Sequence, residues 1–407
     1  MTTVIPHKAV WMEKRIGDVC NVGDGVHAKI KRQDSGVEYL TSRNFKDGGL
    51  DLSKVDYIAE EDFNKHFKAH SKALTKPAAD DVVFSIIGSI GEPYLVRSQD
   101  RFGISSSVAI LRPDKDVLLP KYLYYWVKGH IFQDALYGIK GGVAQGYVSL
   151  EMIRSLPLSL PSLSTQRKFA SLLSAYDDLI ENNTRRIEIL EEMAQAIYRE
   201  WFVHFSFPGH EKVEIVESAK GQIPEGWESV QVGDVVRRIP SGKKYSNKTV
   251  ADTGSVPVLD QGRSGIIGYH DNDPDVIASE ESPVIVFANH TCYQRIIQFP
   301  FSGIQNVLPF LPAIERYRDV YWLHWATKDL VKFNDYKGHW PEFVNKELVL
   351  PPAKLCTAFG QYVKPLVQHQ YILTRKNSNL RKTRDLLLPK LISGEVNVED
   401  VNEKVIR

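Results

Sequence analysis

The sequence predicts an α+β fold: two similar mixed α/β domains separated by an antiparallel two-helix coiled coil, an internal duplication with pseudo-two-fold symmetry. Three observations carry this. A stretch near the middle of the chain repeats apolar residues with a 3.5-residue period. A stretch near the C-terminus repeats the same phase 190 positions later. Ordered landmarks recur between the two segments that flank these stretches.

The central stretch, residues 166–207, carries two apolar tracks. Phe169, Tyr176, Asn183, Leu190 and Ile197 form one, and Leu173, Ile180, Ile187, Ala194 and Trp201 the other. Such a seam specifies a coiled-coil helix with one strongly polar layer, at Asn183. The helix would span roughly 60 Å and cannot bury its seam alone. Phe359, Leu366, Leu373, Leu380 and Leu387 supply the partner's first track. On the second track Val363 and Leu391 are apolar, but Gln370, Asn377 and Arg384 are polar, so this helix is the weaker half. Pro365 lies inside the repeat and is expected to kink the helix or mark its first turn. Residues 166–205 carry net charge −2 and residues 354–395 net charge +6, which helps set register. The competing reading is two long core helices of a single globular fold.

The flanking modules share their order. WMEKRIGDV begins at Trp11 and WESVQVGDV at Trp227, 216 positions later. Phe84 matches Phe287 at an offset of 203, Pro113 matches Pro312 and Trp126 matches Trp325 at 199, and LSLP158–161 matches LVLP348–351 at 190. The offset only falls, as it does when a second copy carries shorter loops. Strands are expected at Val37–Ser42, Val82–Ile87 and Ser107–Arg112, followed by a helix from Pro120 to Tyr137. In the second copy they are expected at Val256–Leu259, Val284–Ala288 and Ile296–Phe301, followed by a helix from Arg318 to Phe333. The domains are therefore 1–165, a central helix at 166–207, 208–352, and a terminal helix and tail at 353–407. Short linkers require the two long helices to run antiparallel if they pair.

A chain of 407 residues exceeds one ordinary core. Its 43% hydrophobic and 25% charged residues describe a soluble globular protein. No apolar run reaches membrane-spanning length, and the N-terminus lacks an apolar signal core, so a cytoplasmic protein without membrane association is expected. Cys20, Cys292 and Cys356 are scattered, make no metal spacing, and suit a reducing compartment. Net charge of +1 neither supports nor excludes nucleic acid.

No catalytic constellation stands out. The phosphate-binding loop G-x-x-x-x-G-K-[ST], the nucleophile elbow G-x-S-x-G and an Asn/Asp-Pro-Pro-aromatic motif are absent. His290 and Cys292 would form a dyad only with an activated thiolate and a partner acid; the alternative is an inert loop cysteine. Gly88-Ser89-Ile90-Gly91 could cradle a phosphate or simply turn the chain. No metal, catalytic residue or cofactor is assigned.

At these residues the chain resembles the specificity (S) subunits of type I restriction-modification systems. The carrying features are the two [IV]GDV starts, GSIG after DVVFS, and the LxLP segments. LIENNTRRIEILEEMAQAIYREWF and RKTRDLLLPKLISGEV complete a resemblance running from about Trp11 to Val396. It implies a non-catalytic subunit with two target-recognition domains, each reading half of a bipartite site on double-stranded DNA, with the helices setting the spacing. It also implies two partners: methyltransferase (modification) subunits and a restriction/translocase subunit. Readout calls for polar side chains on loops. The candidates are Lys29, Lys31, Arg32, Arg43, Asn44, Ser89, Lys140 and Gln145 in the first domain. In the second they are Lys243, Lys244, Tyr245, Gln261, Arg263, His290, Arg295 and Lys337. Residues 220–342 hold thirteen basic and fifteen acidic side chains, so any DNA face there is a local patch. A coiled-coil scaffold with duplicated ligand-binding modules is the reading from another class.

Overall fold

The structure, a computed structural model, describes residues 11–46, 49–69, 73–88, 90–141, 148–218, 221–240, 242–262, 265–313, 319–335, 337–396 and 398. The chain divides into two compact units. One contains residues 1–181 and 377–407, the other residues 182–376. Both long helices are thereby shared between the units.

In the first unit, β1 (Met12–Arg15), β2 (Cys20–Asp24), β3 (Val37–Leu40), β4 (Asp56–Ile58), β5 (Val82–Ser85), β6 (Pro93–Leu95), β7 (Phe102–Ile104), β8 (Val108–Pro113) and β9 (Pro157–Leu160) build three sheets. An antiparallel sheet runs in the order β2-β8-β5-β6, a second sheet runs β4-β3-β7, and β1 pairs with β9. Continuous apolar runs form the middle of the four-stranded sheet because both of its faces are covered. Phe84, Ala109 and Leu111 face one core, while Val83, Val108 and Ile110 face another. The first core also takes Tyr122, Trp126, Phe169 and Leu391. The second lies against the β4-β3-β7 sheet, with Tyr39, Phe45 and Ile104.

The second unit contains β10 (Glu228–Gln231), β11 (Val236–Arg238), β12 (Val256–Leu259), β13 (Ile266–His270), β14 (Val284–Ala288), β15 (Gln294–Ile297), β16 (Ser302–Gly303), β17 (Val307–Pro312) and β18 (Glu347–Leu350). Its sheets run β11-β17-β14-β15, β13-β12-β16 and β10-β18. For these nine strands this is the order of the first unit; each unit adds a hairpin of its own, Phe45–Lys46 with Gly49–Leu50 in the first and Ile215–Ser218 with Gly221–Pro224 in the second. Register agrees too: Pro113 pairs with Cys20, and Pro312 with Val236. Each three-stranded sheet joins one parallel and one antiparallel pair. Ile285, Phe287, Leu308 and Phe310 again face one core, and Val284, Val286 and Val307 the other.

Three expected elements differ. The helix expected from Pro120 to Tyr137 is two helices, Pro120–Lys128 and His130–Gly141. Gly129 separates them in extended conformation, and a Cβ there would collide with Ile392. The helix expected from Arg318 to Phe333 is shorter, Val320–Thr327. Asp319 caps its start, its carboxylate accepting the amide of Trp322 at 2.7 Å. Asp329, in the left-handed region at φ 61°, lies just past its end. The last expected strand is displaced toward the N-terminus, at Gln294–Ile297.

The long helices are Leu163–Phe202 and Ala353–Ile392, forty residues each. The second runs through Pro365, so that residue marks no first turn. Within each unit the helix segments pair antiparallel. In the first, Asn377 donates its amide to the main-chain oxygen of Ile180 at 3.3 Å, and Arg384 pairs with Asp177. In the second, Gln370 donates to the oxygen of Ile187 at 3.0 Å, and Phe359 packs on Trp201 and Phe202. Phe169, Leu173, Ile180, Trp201, Phe359, Val363, Leu373 and Leu391 are buried. Tyr176, Ile187, Leu190, Ile197, Leu366, Leu380 and Leu387 are half-buried. Asn183, Asn377 and Arg384 are buried as well.

Candidate nucleic-acid interface

In the first unit the loop between β2 and β3 carries Lys29, Lys31 and Arg32, all exposed. Val26 anchors its start by bridging to Ser105 in parallel, just past β7. The Arg32 guanidinium lies 3.8 Å over the ring of Tyr39 on β3, and donates to the oxygen of Ile30 at 3.0 Å. Arg43 stands on the turn Ser42–Asn44 that follows β3. Both guanidiniums meet Asp56 on β4. Arg32 Nε is 3.4 Å from Oδ2, and Arg43 reaches Oδ1 at 2.7 Å. The cluster holds two cations on one carboxylate and keeps net positive charge.

The corresponding loop of the second unit lies between β11 and β12. Tyr245 bridges in parallel to Ile304, just past β16, as Val26 bridges to Ser105. Lys243 and Lys244 are exposed beside it. Lys243 lies 5.3 Å from the centre of the Tyr245 ring, and its main-chain amide donates to Asp275. Burial, then the charge of Arg238, pulls the Lys244 ammonium below its usual range, and Asp275 opposes them. Lys337 is exposed on the loop before the short helix Trp340–Val344, which precedes β18. Exposed cations thus stand at one topological place in both units.

Several expected contact residues do other work. Asn44 is 1% exposed. Its side chain accepts the amide of Thr41 at 3.0 Å and donates to the oxygens of Asp51 and Lys54 at 3.0 and 3.1 Å. It holds its loop together and has no face for a base. Tyr245 is buried, its ring stacked 4.3 Å from that of His270 and its hydroxyl accepting from Asn272. Arg295 folds inward and donates to the main-chain oxygens of Asp260 and Gly265, both at 3.0 Å, which latches that loop. Burial lowers its pKa. Gln261 turns its amide oxygen to the main-chain N–H of His290 at 2.9 Å, joining two loops. Lys140 belongs to the helix His130–Gly141. Ser89, Gln145 and Arg263 lie outside the described residues. Asp56 and Arg238 were missed, Asp56 because a carboxylate is not itself a donor to phosphate or base edges. Arg238 is exposed, its guanidinium 5.5 Å from the centre of the Trp340 ring.

Burial raises the thiol pKa of all three cysteines, that of Cys20 to about 12. Burial, then the charge of Glu342, raises the Cys292 pKa, which disfavours a thiolate beside His290. Gly88 and Gly91 have φ of 79° and 92°, and the Gly91 N–H is spent on the oxygen of Ser85 at 2.9 Å. The Gly91 N–H is therefore not offered to a phosphate. Among the described residues no His, Cys, Asp and Glu side chains group as metal ligands, and no helix is long and apolar enough to cross a membrane.

The two units thus share one topology and carry exposed cations on the same loop. Residues 9–192 match the family model of the type I restriction modification DNA specificity domain. The chain is thus similar to specificity subunits of type I restriction enzymes. It is 26% identical over 311 residues to the type I restriction enzyme MjaIX specificity subunit of Methanocaldococcus jannaschii, a match that covers 70% of this chain and 71% of that one. It is 22% identical over 420 residues to the putative type I restriction enzyme MjaX specificity subunit of the same organism, covering 96% and 94%. The crystal structure of the type I restriction-modification system S subunit from M. genitalium matches with a TM-score of 0.54 at 17% identity, covering 94% of this chain and 96% of that one. At that identity the likeness concerns the fold.

Proposed function

We propose that the chain is the sequence-specific DNA-binding subunit of a type I restriction-modification complex. Its modules at 1–165 and 208–352 arose by duplication, and each reads one half of a bipartite target on double-stranded DNA. The central helix at 166–207 and the terminal helix of the segment 353–407, which ends in a tail, pair as a coiled coil. The chain is non-catalytic and directs methyltransferase and restriction/translocase subunits to the site. The observation that carries this reading is the repeated placement of exposed cations: Lys29, Lys31, Arg32 and Arg43 in one unit, and Lys243 and Lys244 in the other. Cations on loops satisfy phosphates and base edges. The scaffold alternative is set aside, because the family match is to a DNA specificity domain.

The test is reconstitution with methyltransferase subunits. Methylation mapping of the complex is expected to yield a bipartite motif, and the chain alone to show no methyl transfer, cleavage or ATP hydrolysis. Robust methyl transfer by the purified chain alone, or a contiguous undivided motif, would overturn the reading.

A further inference from the structure

We infer that Asp56 is a positioning residue for half-site recognition: it presents Arg32 and Arg43 to DNA as one pre-formed pair. The inference rests on the proposed function and deepens it for the first unit. A carboxylate among DNA-facing cations repels phosphate, so its presence calls for a local reason. The geometry supplies one, because each carboxylate oxygen takes one guanidinium, Oδ2 that of Arg32 and Oδ1 that of Arg43. Without Asp56 two like charges would crowd one patch and spread apart. With it, both long side chains are held before DNA arrives, and less rotamer freedom is lost on binding.

The remaining restraints point the same way. Arg32 lies over the Tyr39 ring and is tied to the Ile30 oxygen. The turn that bears Arg43 is pinned by the buried Asn44. Yet the Arg32 and Arg43 side chains remain 39% and 52% exposed, so N–H groups are left for a partner. A planar guanidinium held in place is the side chain that reads guanine O6 and N7 in the major groove. Arg43, the more exposed of the two, is the one assigned to that contact.

The experiment uses the reconstituted complex with Asp56→Asn, Asp56→Glu and Arg43→Lys. The target is first mapped with the wild-type complex. Binding is then measured to DNA with either half scrambled, across a range of salt. Asp56→Asn is expected to lose about tenfold or more discrimination in one half only. Its affinity for unrelated DNA is expected to stay or rise, because a negative charge has gone. Asp56→Glu is expected to recover part of the loss. Unchanged discrimination in Asp56→Asn overturns the inference, and so does equal loss of specific and non-specific binding, which marks a merely structural residue. If Asp56→Asn fails to fold, Arg43→Lys decides: charge kept and discrimination lost in one half supports the inference, and full discrimination overturns it. If the wild-type complex itself shows no half-site preference, the functional reading fails instead.

Discussion

Gln370 donates its side-chain amide to the main-chain oxygen of Ile187 at 3.0 Å. One heptad on, Asn377 does the same to Ile180 at 3.3 Å, and a further heptad on Arg384 pairs with Asp177. The polar residues that weaken the apolar seam of the terminal helix are therefore spaced by seven and each engages the central helix. Buried polar layers of this kind specify register and orientation at a cost in stability. Gln370→Leu tests this. Ile187 keeps its own helical N–H partner, so no buried acceptor is orphaned. The expected result is unchanged or higher stability, by up to about 1 kcal/mol, in chemical denaturation. A loss of several kcal/mol would show that the amide itself holds the pair together.

Arg384→Leu is expected to act in the opposite direction. Arg384 is 5% exposed and is held by Asp177 and Asp385, which raise its pKa against the penalty of burial. Asp177 also accepts the hydroxyl of Tyr125 at 2.6 Å. Removing the cation leaves a half-buried carboxylate with only that neutral donor. The expected destabilisation is about 3 kcal/mol. The double variant Arg384→Leu with Asp177→Leu should recover much of it, and a double variant no better than the single would refute the pairing argument.

The stability of the second unit should depend on pH through Asp319. Burial raises its pKa from 3.8 to about 6, against the lowering effect of backbone hydrogen bonds from Trp322 and Tyr321. A carboxyl whose pKa is raised by folding favours the protonated native state. Its contribution is full below pH 4 and is lost as pH rises through 6, a cost of about 3 kcal/mol by neutrality. His324 works the other way. Burial pushes its pKa from 6.5 down to about 3, so its contribution is present above pH 6.5 and lost as pH falls below that. Asp319→Asn keeps a capping oxygen for Trp322 and removes the charge. Thermal melts should show a gain at pH 7, little change at pH 4, and a steeper loss on acidification from His324. Parallel wild-type and variant profiles would contradict the assignment.

The long helices were legible because a seven-residue repeat survives any surface substitution, and Phe169, Leu173, Phe359 and Val363 are buried as that repeat requires. The shared strand order was legible as an ordered set of matches, and Phe84 and Phe287 do occupy equivalent central strands. The interruption at Gly129 was not legible. The apolar pattern runs through it, and its reason is a side chain 263 positions away, Ile392. The site was legible only in outline. Asn and Arg side chains suit base edges for the same reason that they suit loop carbonyls, so the inward hydrogen bonds of Asn44 and Arg295 could not be foreseen from residue type. Which way each side chain turns is set by neighbours such as Asp51, Lys54 and Asp260, and by the closing of loops around them.

Arg43 and Asn44 are adjacent in sequence and should separate cleanly in experiment. Arg43→Ala removes an exposed side chain whose one ion pair, with Asp56, lies at the surface. Its effect on stability is expected within about 0.5 kcal/mol. In the reconstituted complex it should cost about 1–3 kcal/mol of discrimination in one half-site and leave the other unchanged. Asn44→Ala leaves the oxygens of Asp51 and Lys54 and the amide of Thr41 without the partner they have. It is expected to cost about 2–3 kcal/mol of folding stability. Read on DNA under conditions where the variant stays folded, base preference should move less than in Arg43→Ala. Denaturation curves and half-site binding measured on the same preparations decide the matter. An Asn44→Ala protein of normal stability with relaxed base preference would return Asn44 to the set of DNA-contacting residues and would count against the loop-holding role argued from its hydrogen bonds.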